Sequence, residues 1–188
     1  SSPAADGTYN PPAGGAIWIE VSGGTQLDGS IRSDSVSAWG QWNGYSGSGG
    51  AVYLKTAALS GSGKISADCT NTSSGSNQNS GAGGRVSVLI TGGELGLPNA
   101  NLTALGGKSS YGHVGGVGTV LVRSPQKPNG ILYLRDRTDK YGMYAYRPKP
   151  NQLTRIPAGQ TWVIDEIVFG ANAILEVPPG TTLDLRGG

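Results

Sequence analysis

The sequence predicts an all-β chain that folds as a parallel β-helix, a solenoid whose short strands stack turn upon turn. The first observation is a glycine-flanked strand pattern at nearly constant spacing, with Gly15, Gly50, Gly84 and Gly118 separated by 35, 34 and 34 residues. The second is that no segment of useful length has the apolar spacing of a helix. Strand units this short cannot bury an apolar face alone, so they must stack on one another.

Each repeat begins with a strand in which β-branched and other apolar residues alternate with outward-facing ones, a pattern typical of strands. These strands lie in the blocks 14–21, 49–56, 83–90 and 117–124. Stacking in register gives two interior columns: Ile17, Val52, Val86 and Val120; then Ile19, Leu54, Val88 and Val122. A second short strand and a polar loop complete each of the first three repeats. An antiparallel sandwich would explain strands and turns, but not the near-constant spacing.

We expect a single domain over residues 1–188, with long-loop turns at 14–124, a basic tyrosine-rich insertion at 125–155 and short-loop turns at 156–188. A Pro-x-Gly turn followed by a strand, which suits a corner of the coil, occurs twice in the last part at an offset of 21 residues. We interpret these short turns as a continuation of the same helix.

The insertion breaks the repeat and is bounded by prolines. Ile131–Leu134 is expected to form a strand, and Met143–Tyr146 to return against it as a lateral hairpin. Seven basic and two acidic residues lie in this segment, with tyrosines between them. Such a hairpin suits an anionic polymer, because arginine and lysine bind carboxylates or sulfates. The candidate polyanion-binding residues are Arg135, Arg137, Lys140, Tyr144 and Arg147. The alternative is a solvated insertion that covers the side of the coil.

The first glycine-rich loop carries three aromatic residues, Trp39, Trp42 and Tyr45, among glycines and amides. Aromatic rings in a solvated loop can stack on the C–H faces of a sugar ring while neighbouring amides bind its hydroxyls. Trp18 and Tyr53 occupy matching outward positions and are expected to form an aromatic ladder. These five residues are the candidate glycan-binding set. The alternative is that the loop folds its rings onto the outside of the coil.

Asp34 and Asp68 occupy matching positions 34 residues apart and would lie about 5 Å apart on adjacent turns. Two carboxylates this close need a shared cation, a proton or hydrogen-bond donors. They are therefore weak candidates for a Ca²⁺ site, and otherwise no cofactor is expected. The alternative is that each satisfies turn amides.

Composition narrows the function classes. The net charge is only +2 and the charges are mixed, which disfavours nucleic-acid binding. No apolar run approaches the roughly 18 residues needed for membrane insertion. The single cysteine, Cys69, forms no internal disulfide, and the single histidine, His113, excludes a two-histidine metal site. Asp34 and Asp68 are the sole stacked carboxylate pair available for glycoside hydrolysis, and no catalytic residue is assigned.

The glycine-glycine strand block, the G-x-I-x-x-[DN] strand at 29–34 and 63–68, and the later Pro-x-Gly turn resemble the glycine-rich repeats of large secreted or cell-surface bacterial proteins. More broadly, the chain is similar over about 14–188 to the pectate-lyase-like right-handed β-helix superfamily. That resemblance implies a right-handed coil and leaves activity open, because the superfamily includes polysaccharide lyases, hydrolases, tailspikes and adhesins.

We therefore expect a non-catalytic extracellular module, secreted or on the cell surface, that presents loops to polysaccharide or another surface. Two alternatives stay open: part of a polysaccharide lyase or glycoside hydrolase, and a passive structural stalk. The chain ends directly after a strand at Leu185 without a polar cap. We expect the rest of a longer parent chain, or another subunit, to cover that end.

Overall fold

The structure is a computed structural model that describes residues 12–36, 46–70, 80–107, 115–136, 153–170 and 173–186. Within these residues it is almost entirely β structure, with one 3₁₀ turn at Asn99–Asn101. The strands are β1 Ala16–Glu20, β2 Thr25–Gln26, β3 Ser30–Arg32, β4 Ala51–Thr56, β5 Leu59–Ser60, β6 Lys64–Ser66, β7 Arg85–Ile90, β8 Leu102–Thr103, β9 Thr119–Ser124, β10 Lys127–Leu134, β11 Thr154–Arg155, β12 Thr161–Ile164, β13 Glu166–Phe169, β14 Leu175–Glu176 and β15 Thr182–Leu185. The predicted fold class is confirmed: parallel strands stack as a β-solenoid.

Strands β1 to β9 form the first coil. β1, β4, β7 and β9 pair in parallel, and β3, β6 and β8 form a second parallel sheet. Ile17 pairs with Val52, Val52 with Val86 and Val86 with Val120, as the repeat predicts. The inward-facing side chains of the middle turns are buried, and each buried valine or leucine stabilises the fold by about 1.5–3 kcal/mol relative to an exposed one.

The repeat ends at a hairpin. β9 turns back at Pro125 and Gln126, and β10 pairs antiparallel with it, with Leu132 opposite Leu121. Proline favours the second position of a tight turn, so the chain reverses where earlier repeats bend into a second strand. β13 then pairs in parallel with β10, which completes a six-stranded sheet of order β1-β4-β7-β9-β10-β13.

Strands β10 to β15 form the second coil. β10, β11 and β12 make one turn, and β13, β14 and β15 stack on them in parallel. The pairs β11–β14 and β12–β15 have the offset of 21 residues that the Pro-x-Gly repeat predicts. These short-loop turns do not simply continue the first coil, because the hairpin reverses the direction of their strands.

The two coils bury opposite faces of the shared sheet. We call face A the face that carries Val52 and Val86; Ile131 and Val168 pack there, in the first core. We call face B the face that carries Tyr53 and Ser87, where Leu132 and Leu134 pack in a second core. That second core also contains Leu121, Ile164, Ile167, Leu175 and Leu183. Strand β10 therefore separates two cores.

This arrangement corrects the expectation of a lateral hairpin at Ile131–Leu134. That segment belongs to β10, inside the largest sheet, and its hairpin partner is β9. The expected return strand, Met143–Tyr146, lies outside the described residues. The physical reason is the unbroken apolar run of the segment, which needs burial on both faces and is not satisfied by a solvated hairpin.

Candidate functional site

The most exposed large aromatic surface among the described residues lies on face B at the edge of the sheet. Trp18 of β1 and Tyr53 of β4 are register partners, and their rings stack with centroids 4.2 Å apart at an angle of 28°. Trp18 is 71% exposed. The expected outward ladder of these two rings is confirmed, while their role in binding stays a prediction.

Stacking fixes which ring surfaces a ligand can reach. The facing sides of Trp18 and Tyr53 cover each other, so the outer face of Trp18, beyond the edge strand, is available. The next residue in the same column is Ser87, whose side chain is too short to cover the other face of Tyr53. Among the described residues, the exposed ring surface of the pair is therefore mainly that of Trp18, and Tyr53 is partly exposed beside it.

Polar and charged side chains flank the rings. Glu20 accepts a hydrogen bond from the indole N–H of Trp18 at 3.2 Å and forms an ion pair with Lys55 at 3.3 Å. Arg85 is exposed on β7, two residues before Ser87 and on the same face. Apolar ring faces beside fixed donors and acceptors are suited to ligands with both C–H and hydroxyl surfaces.

The second coil borders this surface. The Trp18–Tyr53–Ser87 column continues into Leu121, Leu132 and Ile167, which the second core covers. Among the described residues, face B is thus open over β1, β4 and β7 and is covered from β9 onward. We name the open part, defined by Trp18, Glu20, Tyr53, Lys55, Arg85 and Ser87, the aromatic face.

The paired aspartates lie at the ends of adjacent turns and bind backbone amides. Asp34 accepts a hydrogen bond from the N–H of Asp68 at 2.7 Å, and Asp68 accepts one from the N–H of Leu105 at 2.8 Å. Each also binds a cation on its own turn, Arg32 at 2.8 Å and Lys64 at 3.1 Å respectively. These contacts form the turn-amide arrangement weighed as the alternative to a Ca²⁺ site.

The same contacts set the charge of Asp34. Partial burial would raise the pKa of Asp34, but the hydrogen bonds from the Asp68 N–H and from Arg32 outweigh it and hold that pKa below its ordinary value. The carboxylate is therefore stabilised by protein donors. In the part of the chain that the structure describes, no group of three or more histidine, cysteine, aspartate or glutamate side chains could hold a metal ion.

Arg135 is the one candidate polyanion-binding residue whose position is described. Its guanidinium lies over the ring of Tyr133, 4.3 Å from the centroid, and donates hydrogen bonds to the backbone carbonyls of Asn99 and Leu102. This side chain ties β10 to the third turn of the first coil. Four other candidates lie outside the described residues: Arg137, Lys140, Tyr144 and Arg147.

The predicted loop aromatics also lie outside the described residues: Trp39, Trp42 and Tyr45. His113 also lies outside the described residues. Cys69 is buried, and its thiol lies 3.0 Å from the hydroxyl of Ser46.

Sequence reasoning missed a pocket on face A beneath the β9–β10 hairpin. It has a volume of about 280 Å³ and is lined in part by Glu94, Asn99, Lys127 and Tyr133. The signal that could have found it is the break of the repeat after residue 124, which leaves the fourth turn without a second strand.

Comparisons with known proteins identify no relative: no family model, no curated protein and no solved structure matches the chain. Among the described residues, no helix has the length and apolar character needed to cross a membrane.

Proposed function

We propose that the chain is a non-catalytic extracellular module that binds polysaccharide through the aromatic face. The observation that carries the proposal is the Trp18–Tyr53 pair. A tryptophan that is 71% exposed keeps a large apolar area in water, and removing such area from water is favourable by about 25 cal/mol per Å² before the entropic cost of association. A sugar ring is a suitable cover, because its C–H face is apolar while its edge carries hydroxyls.

The polar neighbours support this choice of ligand. Glu20 supplies an acceptor and Lys55 a donor, and their ion pair holds both beside the indole of Trp18. Ser87 and Arg85 add further groups next to Tyr53. The loop aromatics Trp39, Trp42 and Tyr45 lie between β3 and β4 in the sequence and are proposed as additional contacts.

The rest of the proposal concerns context. The repeats resemble those of large secreted or cell-surface bacterial proteins, so we place the module outside the cell, in an adhesin-like role with polysaccharide or a cell surface as partner. We further propose that another subunit covers the last turn, because Phe169 and Leu185 are 53% and 57% exposed there.

A glycan array followed by affinity electrophoresis tests the proposal. The unaltered chain should be retained by at least one polysaccharide, and both Trp18→Ala and Tyr53→Ala should weaken retention at least about tenfold, equivalent to about 1.4 kcal/mol. Phe169→Ala is the matched control, because Phe169 is an exposed aromatic at the opposite edge of the same sheet. It should bind normally. The double variant Trp39→Ala/Trp42→Ala tests the loop.

The alternatives predict other outcomes. A passive stalk binds no polysaccharide on any array. An enzyme releases unsaturated uronate or new reducing ends from the polymer, which an absorbance assay detects. Normal retention by both Trp18→Ala and Tyr53→Ala would refute the assignment of the aromatic face.

A further inference from the structure

The pocket on face A arises from an incomplete turn of the first coil. In each of the first three turns, a second segment follows the strand of the large sheet. This segment is β2 in the first turn, β5 in the second and the residue Leu95 in the third, and Leu95 is bridged to Leu59 of β5. β9 begins a fourth turn, but the hairpin takes the chain back into β10 instead. Among the described residues no fourth segment covers Leu95, and Val122 of β9 and Ile131 of β10 line a pocket beside it.

The pocket combines an apolar floor with polar lining residues. Val122, Ile131 and the ring of Tyr133 contribute the floor, on the face that packs in the first core. Asn99 and Gln126, which carry amide side chains, also line the pocket. The pocket volume of about 280 Å³ is the volume that roughly nine molecules occupy in liquid water. A pocket of this size suits one ring-sized ligand of about twelve non-hydrogen atoms.

The wall opposite the hairpin turn is held in place before any ligand binds. Arg135 stacks on Tyr133 and donates to the carbonyls of Asn99 and Leu102, which fixes the 3₁₀ turn against β10. At the hairpin, the backbone N–H of Lys127 donates to the hydroxyl of Ser124 at 3.3 Å. A fixed site loses less conformational entropy on binding than a mobile one.

The pocket lining carries one group of each charge. Glu94 supplies a negative charge and Lys127 a positive one, and Lys127 also lies 3.8 Å from Glu166. Burial raises the pKa of Tyr133 above its ordinary value despite the opposing effect of Arg135, so its hydroxyl stays protonated and uncharged near neutral pH. Balanced charge with neutral amides and hydroxyls favours an uncharged ligand that carries hydroxyls.

We propose that this pocket binds a single uncharged pyranose residue, with the apolar face of the ring on Val122, Ile131 and Tyr133 and its hydroxyls on Asn99 and Gln126. The site is separate from the aromatic face, because it lies on face A, whereas Trp18 and Tyr53 lie on face B. It therefore goes beyond the proposed function and does not depend on it. A ligand this small in an open pocket should bind in the millimolar range.

Saturation-transfer NMR on the full chain tests the proposal, with the methyl glycosides of glucose, galactose, mannose and N-acetylglucosamine as probes. At least one should give a signal from its ring protons. Glucuronate and glucosamine serve as charged comparisons and should give weaker signals. Gln126→Trp, at an exposed turn position, should fill the mouth of the pocket and lower the signal at least about fivefold.

Two controls separate this result from unfolding and from the aromatic face. Ser22→Trp places the same side chain on an exposed bend of the first coil and should leave the signal unchanged. Trp18→Ala should also leave it unchanged, although it weakens polysaccharide retention. The proposal is overturned if no neutral glycoside gives a signal, if a charged probe is preferred, or if Gln126→Trp binds as well as Ser22→Trp while both melt at the same temperature.

Discussion

The two coils share one sheet but use their glycines in different ways. In the first coil, Gly50 and Gly84 lie in a column where the backbones of successive turns approach closely, and an added Cβ on Gly84 would overlap the carbonyl oxygen of Gly50. In the second coil, Gly159 and Gly180 have φ of +79° and +75°, and a Cβ on either would meet nothing within 4 Å. At these four positions, the first coil needs glycine for space between turns, and the second needs it for the shape of the corner.

The comparison also explains how the second coil can follow a reversed strand. If β10 ran backward and the core stayed on face A, the coil would wind with the opposite hand. The second core instead lies on face B, and a change of face together with a change of direction leaves the hand unchanged. Parallel connections strongly prefer one hand, so the reversal and the change of face belong together.

The largest expected effect distinguishes these two uses of glycine. Gly84→Ala would place a Cβ 2.8 Å from the backbone nitrogen of Gly50, besides its overlap with the carbonyl, and these backbone atoms cannot rotate away as a side chain can. We expect a loss of more than about 4 kcal/mol, measured as the free energy of unfolding in urea, or failure to fold. Gly159→Ala should cost only about 1 kcal/mol, because the strain is confined to one backbone angle.

Gly15→Ala is the matched control for the first substitution. Gly15 is the equivalent residue on the edge turn, and a Cβ there meets nothing within 4 Å. Its stability should equal that of the unaltered chain within about 0.5 kcal/mol. Equal losses for Gly15→Ala and Gly84→Ala would show that close stacking of turns is not what the glycine column provides.

The difference between the coils marks the limit of what the sequence predicts. The columns through Val52 and Leu54 could be predicted, because in a parallel stack the register follows the repeat spacing directly. The reversal at Pro125 could not, because nothing in the spacing says which face a strand buries after a turn. A signal was nevertheless present: Ile131–Leu134 is apolar at every position, which indicates burial on both faces.

The sites divide in the same way. The Trp18–Tyr53 ladder follows from register alone and could be predicted. The pocket depends on side chains from the third turn and from both strands of the hairpin, so it appears only once the reversal is known. Asp34 and Asp68 accept hydrogen bonds from backbone N–H groups. The sequence pattern shows only which side chains repeat, so it could not decide between these donors and a shared cation.

A smaller effect is expected from the aspartate that links turns of the first coil. Asp68 is 7% exposed and accepts hydrogen bonds from the N–H of Leu105 and the hydroxyl of Thr103. Asp68→Ala leaves these donors without their acceptor and should cost about 1–3 kcal/mol, or a decrease in Tm of about 3–10 °C. In the second coil, Asp184 pairs with Arg186 at the surface, and Asp184→Ala should change stability by less than about 0.5 kcal/mol. Similar losses for the two variants would contradict the linking role of Asp68.

The smallest effect concerns Asp165, at the reversal between the coils. Its carboxylate accepts hydrogen bonds from the backbone N–H groups of Asn129 and Gly130 at 2.8 and 3.0 Å, where the β9–β10 register shifts. The hydrogen bond from the side chain of Asn129, together with these two, outweighs burial and holds the pKa of Asp165 below its ordinary value of 3.8. A carboxylate whose pKa is lower in the folded chain than in the unfolded chain stabilises the fold fully at pH values above its ordinary pKa. This stabilisation is lost as the pH falls through the lowered pKa.

Asp165→Asn keeps the shape and one acceptor oxygen but removes the charge, so its Tm should be lower by less than that of Asp68→Ala. The deficit relative to the unaltered chain should be constant between about pH 5 and 8 and should shrink below pH 3.8, as Asp165 itself becomes protonated. Thermal melts followed by circular dichroism at a series of pH values measure this difference. Both chains share every other carboxylate, so the loss of stability that those groups cause at low pH cancels in the comparison. A difference in Tm that stays constant down to pH 2 would show that the charge of Asp165 does not stabilise the reversal.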